Sequence, residues 1–97
     1  MQSSNNSQEF YPKLNSQLHE TSSWPTAYLF KFIVKSDQHK IDIIESVFDN
    51  MGAVISSVSS KKGNYVSISI NVVMKDPDAV IEKYKQISHN VEGVISL

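Results

Sequence analysis

The chain has 97 residues, which suffices for one small domain and is too short for two. It carries 9 lysines, no arginine, 10 acidic residues and a formal charge of -1, so no excess of positive charge marks it as a polyanion-binding protein. The absence of cysteine excludes disulfide scaffolds, thiolate metal sites and cysteine nucleophiles.

No run of apolar residues approaches the roughly 18 that are needed to cross a bilayer. The N-terminus also lacks the basic region and the apolar stretch of a signal peptide. We therefore expect a soluble, cytoplasmic protein that holds no metal or cofactor.

The chain divides into three parts. Residues 1–9 are polar and offer nothing to bury, which predicts a disordered tail. Residues 10–26 form an N-terminal extension. Residues 27–97 carry regular apolar patterning and balanced charges, which predicts the folded domain.

The extension contains one helical pattern. Tyr11, Leu14 and Leu18 recur at helical spacing, and Pro12 suits a first turn. This predicts a short amphipathic helix from about Pro12 to Glu20. A helix of this length is marginal alone, so it must dock on the domain or fray.

The domain begins with a strand and a helix. Tyr28 to Lys35 is rich in aromatic and β-branched residues, which predicts the first strand. Ser36 or Asp37 can cap the following helix, and Gly52 is placed to end it. The apolar side of that helix comprises Ile41, Ile44, Val47, Phe48 and Met51.

A hairpin follows. Ala53 to Ser60 predicts a second strand, and Tyr65 to Met74 predicts a third with clean alternation of apolar and polar residues. Between them, Gly63 and Asn64 predict a two-residue loop, in which glycine supplies the positive φ of a type II′ turn.

The last two elements are a helix and a strand. Asp76 as cap, Pro77 in the first turn and Asp78 near the positive dipole end predict where the helix starts. Its apolar residues are Val80, Ile81, Tyr84 and Ile87. Val91 to Leu97 predicts the last strand.

A shift of 40 residues superposes the two halves of the domain and places Phe30 on Ile70. Two βαβ halves with right-handed crossovers interlock into one antiparallel sheet. The sequence therefore predicts an α+β fold of the ferredoxin-like βαββαβ type, with four strands and both helices on one face.

The same shift predicts the direction of the side chains. Phe30 and Ile68 are expected to point towards the helices. For the second and fourth strands, which the shift does not orient, we assign Ile55 and Ile95 inward and Val54 and Val94 outward. The face of the sheet that the helices leave uncovered is called the open face. It is predicted to carry Leu29, Lys31, Ile33, Val54, Tyr65, Ser67, Ser69 and Asn71.

Three segments carry a family resemblance: Lys13-Leu14-Asn15, Trp24-Pro25-Thr26 and, above all, the run Ser-Lys-Lys-Gly-Asn-Tyr-Val-Ser-Ile-Ser-Ile from Ser60 to Ile70. On these residues the chain resembles, over about residues 13–97, the YbeD-like family of small bacterial proteins of unknown function. The resemblance implies an ACT-like fold, in agreement with the βαββαβ prediction, and it implies no activity.

The hairpin motif of that resemblance comprises Lys61, Lys62, Gly63, Asn64 and Tyr65. Two lysines beside backbone amides can hold an anion. A plain turn with solvated lysines accounts for every one of these residues, so we favour the turn.

The open face has two interpretations as well. It is a hydrated sheet surface, or it is a docking face for a second copy, for another protein or for the N-terminal segment. Leu29, Ile33 and Val54 together would form an apolar patch, which favours docking.

Two ligand-binding functions of this topology find less support. RNA-recognition modules stack bases on aromatic residues of the open face, where this chain has Ser67 and Ser69. ACT domains bind amino acids beside a glycine-bearing loop after the first strand, and the corresponding loop here, Ser36 to His39, contains no glycine.

Catalytic patterns are also missing from the sequence. The three histidines, His19, His39 and His89, are far apart, and no phosphate-binding glycine loop or nucleophile elbow occurs. The acidic residues Asp42, Glu45 and Asp49 are best interpreted as a solvated helix face.

We therefore predict a non-enzymatic domain that acts as a protein-interaction or regulatory module through its open face. Its partner would be a second copy, as a homodimer, or an unidentified protein. The alternative is an ACT-like sensor of a small ligand such as an amino acid, at a dimer interface. RNA binding is a weaker third hypothesis.

Overall fold

The computed structural model describes the backbone of residues 3–97 and the side chains of residues 11–20 and 22–97. Within that range the fold is α+β, with three helices and a four-stranded antiparallel sheet. The elements are α1 (Ser3–Thr21), β1 (Thr26–Lys35), α2 (Gln38–Ser46), β2 (Val54–Ser59), β3 (Tyr65–Met74), α3 (Pro77–Asn90) and β4 (Ile95–Ser96). The strand order is β2-β3-β1-β4, so β1 and β3 lie in the centre.

The central strands pair along their whole length, from Thr26 opposite Met74 to Lys35 opposite Tyr65. Phe30 lies opposite Ile70, and neither side chain is exposed. Ile68 is equally buried, so the predicted inward direction of Phe30 and Ile68 is confirmed.

Helices α2 and α3 cover this inward face. The ring of Phe30 lies 4.9 Å from the ring of Phe48, just after α2, and 5.2 Å from the ring of Tyr84 on α3. Ile44 and Ile87 complete this contact from the two helices. Burying each such side chain contributes about 1.5–3 kcal/mol, which holds both helices against the same side of the sheet.

Two lysines tie the helices to each other. Lys40 Nζ of α2 donates a hydrogen bond of 2.9 Å to the carbonyl oxygen of Glu92, beyond the end of α3. Lys83 Nζ of α3 donates one of 3.0 Å to the carbonyl oxygen of Val47, at the end of α2. Each cation therefore sits at the negative dipole end of the other helix.

The predicted helix caps are confirmed, but α2 ends earlier than predicted. Asp37 accepts a hydrogen bond from the His39 amide, and Asp76 accepts one from the Ala79 amide. The helix α2 ends at Ser46 instead of near Gly52. After Ser46 the chain continues in tighter turns, in which the Phe48 amide donates to the Glu45 carbonyl and the Asp49 amide to the Ser46 carbonyl. Asn50, with a left-handed φ of 64°, then ends these turns.

The hairpin between β2 and β3 is longer than predicted. The Gly63 amide donates to the Ser60 carbonyl, and the Ser60 amide donates to the Tyr65 carbonyl. Four residues, 61–64, therefore form the loop, and the two-residue type II′ prediction was wrong. Gly63 still requires its flexibility, because its φ is 74°.

The last strand is also shorter than predicted, and its alternation is reversed. Val91 is buried as the C-cap of α3, and Gly93 has a φ of 76°. These residues leave only Ile95–Ser96 to form β4. Val94 packs against the core and Ile95 is exposed, so the predicted inward Ile95 and outward Val94 were both wrong.

Helix α1 contains the predicted short helix and extends beyond it to Ser3. It therefore takes in the backbone of residues 3–9, which were predicted to be disordered, while residues 1 and 2 lie outside the described residues. Leu14 and Leu18 pack against the core, and Asn15 Nδ2 donates to Asp78 Oδ1 of α3 at 2.6 Å. Once these docked turns form, each further helical residue adds a hydrogen bond without a new nucleus.

Candidate interaction face

The open face lies on the side of the sheet opposite α2 and α3. Side chains alternate between the two sides of a strand, and residues paired across the sheet point to the same side. The register therefore identifies which residues of each of the four strands lie on the open face. Every residue predicted for it lies on it: Leu29, Lys31 and Ile33 from β1, Val54 from β2, and Tyr65, Ser67, Ser69 and Asn71 from β3. Leu29 and Val54 are exposed, whereas Ile33, Ser67 and Ser69 are half-buried.

The face also carries apolar residues that the sequence prediction missed. These are Val58, Val73, Ile95 and Leu97, each exposed by more than half. Strict alternation along the second and third strands would have found Val58 and Val73. Ile95 was missed because the last strand was assigned the reverse alternation; it lies opposite Ile33.

The exposed apolar side chains are concentrated on this one face. Among the described residues, the large hydrophobic side chains with high exposure are Leu29, Val54, Val58, Tyr65, Val73, Ile95 and Leu97. The register places all of them on the open face: Val58 lies opposite Ser67, and the Leu97 amide donates to the Lys31 carbonyl at 2.9 Å. Single exposed apolar residues scattered over a protein surface are normal, whereas a group of them on one face is typical of a protein-binding surface.

Small polar residues separate the apolar rows. Ser67, Ser69 and Asn71 form a line along β3. Apolar residues of β1 stand on one side of this line and those of β2 on the other. The face therefore has a low polar centre between two apolar rows.

The charge of the face is positive. The four strands contain Lys31 and Lys35 and no acidic residue. Lys61 and Lys62 are exposed at the hairpin end. Acidic residues of the described domain lie on the helices and in the loops, so the neutral domain has an uneven distribution of charge.

The hairpin motif uses its backbone amides internally. The Gly63 amide donates to the Ser60 carbonyl, and the Tyr65 amide donates to the Ser60 hydroxyl at 3.1 Å. The Asn64 carbonyl accepts from the Ser36 amide, which fastens the loop to the end of β1. These contacts account for the motif as a turn and leave neither of those two amides directed at an anion.

A groove of about 750 Å³ lies between α1 and α3. It is lined by Tyr11, Pro12, Asn15, Ser16, Asp78, Ile81 and Lys85. Its polar groups contact each other: Asn15 bonds to Asp78, and Lys85 Nζ lies 5.3 Å from the centre of the Tyr11 ring. The groove is therefore explained by the packing of α1.

The groove is lined by three titratable residues, Tyr11, Asp78 and Lys85, none of which is a histidine. In the part of the chain that the structure describes, no three histidine or acidic side chains lie together as metal ligands would. Burial, reinforced by the hydrogen bond to Tyr28, raises the pKa of Tyr84 well above the usual range of tyrosine. Tyr84 is a residue of α3 that packs into the core between this helix and the sheet, so the raised pKa results from core packing.

Comparison with known proteins adds a family. A family model described as "Protein of unknown function (DUF493)" matches residues 19–95. The chain belongs to the DUF493 family. The range matched by the DUF493 model begins near the end of α1 and contains the whole of β1, β2 and β3.

The other two comparisons found no match, neither a curated protein nor a solved structure. For the membrane, none of the helices formed by the described residues is both long and apolar enough to cross it.

Proposed function

We propose that this DUF493 protein is a non-enzymatic interaction or regulatory module that binds another protein through its open face. One observation carries the proposal. The exposed large apolar side chains of the described residues share that face, while the helix side is mixed and charged. Removing this apolar surface from water would supply about 25 cal/mol for each Å² buried.

The finer fold assignment belongs to the same proposal. We assign residues 26–97 to the ferredoxin-like type, with ACT-like and YbeD-like character. The chain order β-α-β-β-α-β from Thr26 and the strand order β2-β3-β1-β4 support this assignment. In this arrangement the helices occupy one side of the sheet, which leaves the other side and the sheet edges uncovered.

The test is affinity capture from cells of the native host with three forms of the protein. Leu29→Glu combined with Ile33→Glu places two carboxylates in the apolar row of β1. The matched control, Gln86→Glu with Ser88→Glu, adds the same charge to exposed positions of α3. Far-UV circular dichroism checks that both variants remain folded.

We expect the wild type and the α3 control to retain the same partner and the open-face variant to lose it. The proposal is wrong if the open-face variant captures that partner as well as the wild type does. It is equally wrong if the wild type retains nothing beyond what the open-face variant retains.

A further inference from the structure

The strand β2 has a free edge. It is the outermost strand on its side of the sheet, and it is six residues long, whereas the strand at the opposite edge has two. Its sequence from Val54 to Ser59 is Val-Ile-Ser-Ser-Val-Ser, without charge or proline. Charged residues, proline and bulges are the usual protections of an edge strand against pairing with another chain.

The ladder with β3 shows which backbone groups of β2 are free. The Ser60 amide donates to the Tyr65 carbonyl, so this pair is hydrogen-bonded. Bonded and non-bonded pairs alternate in an antiparallel ladder. Val54, Ser56 and Val58 therefore bond to β3, and Ile55, Ser57 and Ser59 direct their N–H and C=O groups to the free edge.

We propose that this edge pairs with the same edge of a second copy of the chain, antiparallel and about a two-fold axis at Ser56. In this register, Ile55 of each copy bonds to Ser57 of the other through the free groups. The two sheets would join into one continuous eight-stranded sheet. This proposal does not rest on the open face being a docking site.

Self-complementarity of side chains selects the register. On the open face, β2 presents the palindrome Val54, Ser56, Val58. The two-fold axis at Ser56 places Val54 of each copy opposite Val58 of the other, on both sides of a Ser56 pair. Apolar cross-strand pairs of this kind stabilise a sheet, and a shift of the axis to Ser57 would lose both of them.

The charges beyond the strand ends are also compatible with this pairing. The exposed lysines Lys61 and Lys62 follow β2, and the exposed Asp49 precedes it by five residues. Antiparallel pairing brings the C-terminal end of one β2 next to the N-terminal end of the other. The lysines of the two copies would thus lie at opposite ends of the paired strands, and no like charges meet along the strands.

The chain contains no cysteine, so a single introduced thiol reports the contact directly. Ser56 would form a non-hydrogen-bonded pair across the axis, with Cα atoms about 4.5 Å apart, which a disulfide can bridge. We expect Ser56→Cys to give a disulfide-linked dimer on mild oxidation. The matched control is Ser59→Cys, whose two copies would lie roughly 20 Å apart and should cross-link only at background level.

A second variant blocks the edge without touching the β2–β3 ladder. Ser57→Pro removes an N–H group that β3 does not use, so the fold should persist, as checked by circular dichroism. In sedimentation equilibrium at concentrations up to about 1 mM, where weak association is visible, the wild-type mass should rise from 10.9 kDa towards twice that value. Ser57→Pro should remain at the monomer mass.

The outcomes separate this proposal from the open-face function. Pairing through β2 is supported if Ser57→Pro abolishes association of the chain while Leu29→Glu with Ile33→Glu leaves it intact. Equal cross-linking of Ser56→Cys and Ser59→Cys overturns the proposal. The proposal is also overturned if the wild-type mass stays at that of the monomer. The partner of the β2 edge would then be an extended segment of another protein.

Discussion

The hydroxyl oxygens of Tyr28 and Tyr84 lie 2.9 Å apart, and this hydrogen bond joins the central strand β1 to the helix α3 that packs on it. The Tyr28 ring is half-buried, and the Tyr84 ring packs edge-on against Phe30 in the core. The pair therefore ties the position of α3 to the sheet, and it makes the stability of the fold sensitive to alkaline pH.

We predict that the free energy of unfolding falls above about pH 10. The unfolded chain releases the Tyr84 proton near the ordinary tyrosine pKa of about 10, whereas burial and the hydrogen bond to Tyr28 hold the folded-state pKa of Tyr84 well above that value. The stability contribution is complete below the unfolded pKa and declines between the two values, by up to about 1.4 kcal/mol per pH unit.

Urea unfolding of Tyr84→Phe at about pH 8 and about pH 11 tests this sign. The variant should lose about 1 kcal/mol at the lower pH, from the missing hydrogen bond, and should lose less than the wild type on going to the higher pH. The exposed Tyr65 provides the control for the substitution itself, since Tyr65→Phe should change the stability at about pH 8 by less than about 0.5 kcal/mol. Parallel pH profiles of the wild type and Tyr84→Phe would contradict the prediction.

Lys83 should stabilise the fold more than its charge alone suggests. Its Nζ bonds to the Val47 carbonyl at 3.0 Å and lies 5.7 Å from the centre of the Phe48 ring. Lys83→Met keeps the apolar stem and removes both contacts, so we expect a loss of about 1–2 kcal/mol in urea unfolding. Lys75→Met, at an exposed position, should change the stability by less than about 0.5 kcal/mol. Equal effects of the two substitutions would show that Lys83 has no such role.

The docking of α1 can be followed with Trp24, the only tryptophan of the chain. Its indole Nε1 donates to the Leu18 carbonyl at 3.0 Å, and the ring packs against the core. Leu14→Glu with Leu18→Glu should release the helix, because two charges would be placed at its packed positions. We expect the Trp24 emission to shift to longer wavelength in the native state.

The matched control for the α1 prediction adds charge to the same helix at exposed positions. Lys13→Glu with His19→Glu should leave the Trp24 emission as in the wild type. An unshifted emission in the variant at Leu14 and Leu18 would mean that the helix does not depend on these two contacts.

The parts of the fold that the sequence predicted well are those that one local cause determines. Strand β3 runs from Tyr65 to Met74 as predicted, because apolar and polar residues alternate there without a break. Asp37 and Asp76 cap helices, as short acidic side chains before a helical run usually do.

The parts that were mispredicted depend on competition between neighbouring elements. Val91 belongs to α3 as its C-cap, which shortens β4 and reverses the side on which Ile95 lies. The length of α1 depends on contacts with α3, and the hairpin on hydrogen bonds of Ser60. For the open face, its position was predictable from alternation, but its full apolar content was not, since that required the correct direction of β4.

Ser67, Ser69 and Asn71 form a line of small polar side chains along β3, with apolar residues of β1 on one side and of β2 on the other. A helix or strand of a partner would approach most closely if it lay along this line, parallel to β3. Its large side chains could then contact the apolar residues of β1 and β2 on either side. The angle at which a partner approaches would thus be set by three short side chains that themselves contribute little binding energy.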